Sequence, residues 1–204
     1  MTLSGPFSCP HDLANADPPL PAITPLMNFI LGFSFIFFLG TLVEYWVHRA
    51  QHAGYLNSKI HANHHRHGKG QGVLGEFLDY VLGTVALMWI GFLVSVEAGI
   101  GTVCGGLFYA AFAAYAHQAQ HERPMIVFWQ RKPVHYLHHR HNSWHSNFGI
   151  ACGFWDRIFG TFEDHLYPDQ SCVPLRSWRD FFSIRWRGFS EPGIRPFRAP
   201  KKKS

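Results

Sequence analysis

Three long apolar runs, separated by polar stretches, dominate the pattern of the chain. They are Leu26–Val43, Tyr80–Val96 and Ile100–Ala116, with 18, 17 and 17 residues. A helix of about 17 to 20 residues crosses the roughly 30 Å hydrocarbon core of a bilayer. The pattern therefore predicts an all-α integral membrane bundle of about three spans. A soluble protein with buried helical hairpins is the alternative, and runs of this length disfavour it.

The cations lie on only one side of these predicted spans. None of the 18 Lys and Arg residues precedes Arg49, and none lies between Lys69 and Arg123. Three crossings place both cationic stretches, 49–69 and 123–203, on the same side of the membrane. Because Lys and Arg near spans favour the cytoplasmic face, we expect that side to be cytosolic. The membrane would be that of the endoplasmic reticulum in a eukaryote, or the inner or cytoplasmic membrane in a bacterium.

This pattern suggests three parts, namely a Pro-rich leader at 1–25, a membrane domain at 26–165 and a basic tail at 166–204. The final residues, Lys201–Ser204, resemble the dilysine retrieval signal of endoplasmic-reticulum membrane proteins, although a solvated basic tail explains them equally well. The formal charge of +5 is not accompanied by a nucleic-acid-binding motif. We therefore expect anionic headgroups or an acidic protein partner, and no nucleic acid.

Histidine is the unusual residue of this chain, since its 15 copies outnumber the 13 acids. Four groups of histidines follow the predicted spans on the cationic side. The ten that repeat at helical spacing are His48 and His52; His61, His64 and His65; His117 and His121; and His135, His138 and His139. Spacings of three and four residues place side chains on one helical face. The pattern thus predicts a helical cytosolic cap on which ten imidazoles converge.

Imidazole is the commonest protein ligand of zinc, copper, iron and nickel. Ten donors exceed the needs of one ion, but two ions with four or five ligands each would use them and leave positions open for oxygen or water. All ten are therefore candidate metal ligands and catalytic residues. The alternative is that they are interfacial or solvated side chains. His67, His141 and His145 break the stripes, so we expect them to support the ligands or to be exposed.

Two other sets of residues bear on the predicted site. Glu44 stands four residues before His48 and either accepts a hydrogen bond from a ligating ring or contacts an N–H group or a lipid headgroup at the interface. Phenylalanines of the first and third runs either line a lipid path or pack the bundle, and packing is the usual role of such stripes. They are Phe35, Phe37, Phe38, Phe108 and Phe112.

The four histidine groups have the spacings H-x3-H, H-x2-H-H, H-x3-H and H-x2-H-H, in that order. Two further motifs follow them, N-F-G at Asn147–Gly149 and W-D-R-I-F-G-T at Trp155–Thr161. Over about residues 40 to 165 this resembles the fatty acid hydroxylase and sterol desaturase superfamily. The resemblance implies a histidine-box membrane di-iron oxygenase that uses O2 to hydroxylate or desaturate a lipid drawn from the bilayer. It also implies that the ten histidines above bind two iron ions, and that Trp155, Asp156 and Gly160 have a structural role.

Two features depart from that superfamily. Its members often have four spans, whereas one apolar run precedes the first histidine pair here. Some members also carry a fused cytochrome b5 domain that this sequence lacks, so electrons are expected from a separate cytochrome b5 or ferredoxin type partner. Two other functions remain open, a zinc-dependent membrane hydrolase and a metal-binding or transport protein. Zinc could also replace iron in a purified form.

Overall fold

The computed structural model describes residues 23–189 and 193–196. Within these residues the secondary structure is entirely helical. The α-helices are α1 (Ile23–His52), α2 (Ser58–His67), α3 (Val73–Thr84), α4 (Val96–Glu122), α5 (Val134–His141) and α6 (Phe154–Ile158), and 3₁₀ helices lie at Leu87–Leu93, Pro124–Ile126 and Trp178–Phe182. The first 22 residues, with His11, and the Lys201–Ser204 end lie outside the described residues.

Helices α1 and α4 form the centre of the bundle, and both are long and apolar enough to cross a membrane. They run parallel to each other. At one end Asn28 Nδ2 donates to Ser95 Oγ, and nearer the other end Tyr109 Oη donates to Glu44 Oε2. Both helices therefore end on the same side, and both end in a histidine pair.

Two parallel neighbours need a return segment, which α3 and the following 3₁₀ helix provide. Tyr80 of α3 contacts Glu44 near the histidine end, and Met88 of the 3₁₀ helix accepts a hydrogen bond from Thr102 Oγ1 near the other end. The return bends by 45°. The predicted bundle of about three spans is thus confirmed.

The helices found in the region of the second predicted span do not have the bounds of the apolar run that predicted it. The run 80–96 begins in the last turn of α3, passes through the 3₁₀ helix and ends in the first residue of α4. Two local features explain the breaks. Gly83 and the β-branched Thr84 are weak helix formers at the bend. Ser95 caps α4 by accepting a hydrogen bond from Ala98 N, which starts a new helix.

Small residues allow α1 and α4 to approach closely. A Cβ built on Gly101 would lie 2.3 Å from Phe29 O, and one on Gly105 would lie 2.5 Å from Phe33 O. Since real side chains do not fit at such distances, glycine is required at both positions. Close backbone approach at small residues is a common way for membrane helices to associate.

We expect Gly101→Ala to destabilise the bundle by about 1 to 3 kcal/mol, because the added methyl forces the two helices apart. Thermal unfolding in detergent measures the effect. Gly83→Ala is the matched control, since a Cβ there meets nothing within 4 Å, and its stability should be equal or slightly higher. Equal unfolding temperatures for the two variants would contradict the close contact.

The aromatic residues of the spans pack on one another. The rings of Phe37 and Tyr109 meet edge to face with centroids 5.5 Å apart, and Phe37 also contacts Phe108 and Phe112 at 6.0 Å. These are ordinary distances for aromatic pairs. Packing, rather than lining a path, is the role of this cluster.

The described part of the C-terminal region lies against the histidine end of the bundle. Arg123, just after α4, donates to Asp180 at 2.7 Å, and Tyr115 Oη donates to Phe181 O at 2.8 Å. Arg185 N donates to Glu122 Oε2 at 2.8 Å. These contacts hold the last 3₁₀ helix against α4.

Candidate metal centre

Four helices carry the predicted histidines to one place. The pairs on α1 and α4 project from the helix ends, and α2 and α5 bring their rings in from the side. The ligand-capable atoms form two groups, each with all atoms within 4.8 Å of one another: His48, His52, His61, His65 and His138 in the first, and His64, His117, His121 and His135 in the second. Ring centroids of His48 and His135, one from each group, are 5.4 Å apart, so the groups are adjacent.

Several ring nitrogens within the first group approach one another directly. His52 Nε2 lies 2.8 Å from His61 Nε2 and 2.9 Å from His138 Nε2. His65 Nε2 lies 3.1 Å from both His61 Nε2 and His138 Nε2. Ligands bound at the usual zinc or iron distance of about 2.1 Å are separated from each other by about 3 Å. The spacing thus fits one ion at the centre of the group.

The opposite edge of several rings is fixed by a backbone carbonyl. His48 Nδ1 lies 2.5 Å from Phe148 O, and His138 Nδ1 lies 2.7 Å from Ser146 O. In the second group, His64 Nδ1 lies 3.0 Å from Lys69 O and His121 Nδ1 lies 3.0 Å from Gly68 O. A carbonyl can only accept, so each Nδ1 donates. The Nε2 lone pair is then available to a metal, as in known histidine metal sites.

Burial keeps these rings in the neutral form that metals bind. Removal from water lowers the pKa of His64 to about 4 and the pKa of His138 to about 3. Both rings are therefore unprotonated at neutral pH. The Nε2 atoms of His48 and His64 are buried without a hydrogen-bond partner. Since an unpaired buried polar atom is costly, these atoms favour a bound cation.

The remaining histidines take three different places. His139 belongs to neither group but lies between them. Its ring stacks on His65 of the first group with centroids 4.0 Å apart, and its centroid is 4.6 Å from that of His121 in the second group. His67 and His145 are exposed. His141 stacks on His165 at 3.8 Å, away from both groups. None of the last three belongs to either group.

Glu44 does not bind a histidine ring, contrary to one of the two roles considered for it. Its Oε1 accepts hydrogen bonds from Ile150 N and Ala151 N, both at 2.9 Å. Its Oε2 accepts from Tyr109 at 2.8 Å and Tyr80 at 3.3 Å. The buried carboxylate therefore ties the loop after α5 to α1 through backbone N–H groups.

A second buried acid, Glu76, lies beside His117, and the sequence did not predict this contact. This buried acid near the start of α3 places Oε1 2.9 Å from His117 Nδ1 and also accepts from Gln71 N. The carboxylate is thus within ion-pair distance of His117, without the aligned hydrogen bond that the carbonyls accept from the other rings. The only signal in the sequence is an acid just before an apolar run, which does not identify its partner.

Replacing Glu76 with leucine should lower metal affinity by about 10- to 100-fold, because His117 loses the carboxylate that lies beside its Nδ1. Glu76→Gln keeps an acceptor oxygen and should retain most of the affinity. Metal titration of the purified full chain measures both. Equal affinities for wild type and Glu76→Leu would show that His117 needs no such support.

Asp156, from the W-D-R-I-F-G-T motif, holds the loop whose carbonyls face His48 and His138. Its carboxylate accepts from Phe148 N and Gly149 N, both at 2.7 Å, and from Thr161 Oγ1 at 2.8 Å. Its neighbour Trp155 donates to Thr41 Oγ1 of α1 at 2.9 Å. Through these hydrogen bonds the motif connects the 146–151 loop to α1.

A cavity of about 1060 Å³ reaches both groups of histidines. Its walls include His48, His61, His64, His117 and His135. Other walls come from Val43 and Gly40 of α1 and from Leu82 of α3, which belong to the apolar spans. The cavity thus joins the histidines to the part of the bundle that faces lipid.

Comparison with known proteins places this arrangement in a family. The family model described as "Fatty acid hydroxylase" matches residues 33–161. The chain is 27% identical to a putative methylsterol monooxygenase of Dictyostelium discoideum over 76% of this chain and 58% of that protein. It is 28% identical to a methylsterol monooxygenase of Aspergillus fumigatus over 70% and 49%.

A third relative is a ceramide very long chain fatty acid hydroxylase of Schizosaccharomyces pombe, 27% identical over 78% of this chain and 48% of that protein. The chain therefore spans about half the length of these curated relatives. No solved structure matches it significantly.

Proposed function

The chain belongs to the fatty acid hydroxylase family, and on that premise we propose that it hydroxylates a membrane lipid with O2 at two iron ions held by histidines. In such a reaction one oxygen atom enters a C–H bond as an alcohol and the other leaves as water, with two electrons and two protons supplied. Hydroxylation is favoured over desaturation because the relatives named above are monooxygenases and a hydroxylase.

The observation that carries the proposal is the presence of two adjacent histidine groups, members of both of which line one cavity. An unactivated C–H bond has no acidic proton for a base to remove, so a redox cofactor is needed. Iron bound to the histidines would supply the chemistry that turns O2 into an oxidant able to attack such a bond.

The ligands in this proposal are the nine histidines of the two groups together with His139. Hydrogen bonds from Nδ1 to backbone carbonyls fix four of these rings before an ion binds, those of His48, His64, His121 and His138. Their burial excludes water from the reacting end of the cavity, which limits loss of the oxidant to side reactions. A group of five and a group of four leave room at each ion for O2 or water.

The lipid would reach the histidines along the cavity, between α1 and α3. Val43 and Leu82 line its apolar walls. A chain or ring system lying there would place a C–H bond beside His48 and His135. We infer a substrate that enters from the bilayer, such as a fatty acid, a sterol or a related lipid.

Electrons would come from a separate carrier of the cytochrome b5 or ferredoxin type. Such carriers have acidic surfaces, and in the sequence every Lys and Arg falls in the stretches 49–69 and 123–203, which follow predicted spans that end in histidines. The same charge distribution favours a cytosolic orientation of the site.

The decisive experiment is metal analysis of anaerobically purified protein, paired with O2 and reductant consumption on extracted lipid. We expect bound iron and a hydroxylated lipid, which mass spectrometry of lipids from cells with and without the protein would identify. Zinc alone with ester cleavage would replace the proposal by a hydrolase. Metal flux without lipid oxidation would indicate a transporter.

A further inference from the structure

We propose that the chain also binds the headgroup of an anionic phospholipid, in a recess formed by Arg131, Lys132 and Arg157. The recess encloses about 150 Å³ and is completed by Phe162 and Asp164. It shares no lining residue with the cavity of the histidines. The proposed lipid is thus a ligand distinct from the substrate.

The depth of α6 places one wall of the recess at the membrane boundary. Trp155 is hydrogen-bonded to Thr41, and the ring of Phe159 stacks on Tyr45 with centroids 5.2 Å apart. The first apolar run ends at Val43, between these two contacts. Helix α6, which carries Arg157, therefore lies where hydrocarbon gives way to headgroups.

The second wall lies at the same depth by an independent contact. The ring of Trp129 packs 5.1 Å from Phe112, one turn before the last apolar run ends at Ala116. Trp129 also donates to Ala151 O, which ties it to the loop before α6. Arg131 and Lys132 come two and three residues after Trp129, so they lie at the headgroup level too.

Apolar side chains next to the recess point outward. Phe128, Phe154 and Ile158 are 75%, 57% and 54% exposed. Exposed apolar side chains alternating with cations are typical of segments that lie in a membrane interface. A soluble acidic protein could use the cations, but it would leave these apolar side chains in water. The combination favours a lipid.

The charge of the recess suits a phosphate diester. Its three cations face the single carboxylate of Asp164, which contacts Lys132. The guanidinium of Arg157 lies 3.9 Å over the Phe162 ring. Stacking occupies the face of the guanidinium and leaves its N–H edge for a bidentate contact with phosphate oxygens.

Native mass spectrometry of the full chain in detergent tests the proposal. Phosphatidylglycerol and phosphatidylcholine of equal chain length are added together, and we expect phosphatidylglycerol to be retained preferentially. Arg157→Gln should weaken its binding about fivefold, and adding Arg131→Gln should weaken it about 25-fold. Arg176→Gln, at an exposed arginine outside the recess, is the control and should have no effect.

Equal retention of the two lipids by the wild type would overturn the proposal. So would phosphatidylglycerol binding that survives the double substitution, or one that Arg176→Gln weakens equally. If the double variant instead loses affinity for an acidic electron carrier in pure phosphatidylcholine nanodiscs while its lipid preference is unchanged, the recess serves a protein. Thermal unfolding of each variant confirms that it is folded.

Discussion

Replacing His138 with alanine is expected to abolish lipid oxidation and to remove bound metal while leaving membrane insertion intact. The ring is fully buried, its Nδ1 is fixed by Ser146 O, and its Nε2 lies about 3 Å from both His52 Nε2 and His65 Nε2. Loss of such a ligand should exceed the 10- to 100-fold effect of removing a supporting contact. Activity should therefore fall by more than about 100-fold.

The same result is expected for His64→Ala, which tests the second group. Metal content per protein and lipid turnover are measured side by side, and membrane insertion is checked by fractionation. His11→Ala is the control, because His11 stands outside the four histidine groups of the sequence. Full activity in either variant would remove that histidine from the site.

The second large effect is expected at Asp156. Asp156→Ala leaves the amides of Phe148 and Gly149 without an acceptor in a buried loop. We expect a loss on the order of 3 kcal/mol in the free energy of unfolding. We also expect weaker metal binding, because the same loop orients His48 and His138.

Unfolding in detergent and metal titration measure these two effects. Asp156→Asn is the graded control, since it keeps one acceptor oxygen and should fall between the wild type and the alanine variant. Stability and metal affinity equal to those of the wild type in Asp156→Ala would show that the loop holds its shape without this carboxylate.

Much of this architecture follows from short-range pattern. Apolar runs long enough to cross a bilayer identify the spans, and histidines three and four residues apart identify helical faces. Both patterns involve residues close together in the chain, so a single sequence is enough to identify them. Predicting that the four histidine groups converge also required knowing on which side of the membrane each group lies. The positions of Lys and Arg along the chain indicated that all four lie on the same side.

Other features depend on contacts between distant parts of the chain. His48 is 100 residues from Phe148, whose carbonyl holds its ring. The partner of Glu76, His117, lies on another helix. No spacing rule reports such pairings, and none explains why His139 lies between the two groups.

The rings of His48, His64, His121 and His138 are all steered by main-chain oxygens, those of Phe148, Lys69, Gly68 and Ser146. A point mutation can delete a side chain but not a peptide carbonyl. These segments can therefore diverge in residue identity during evolution while the path of the backbone is maintained. Insertions or deletions there should be far less tolerated than substitutions.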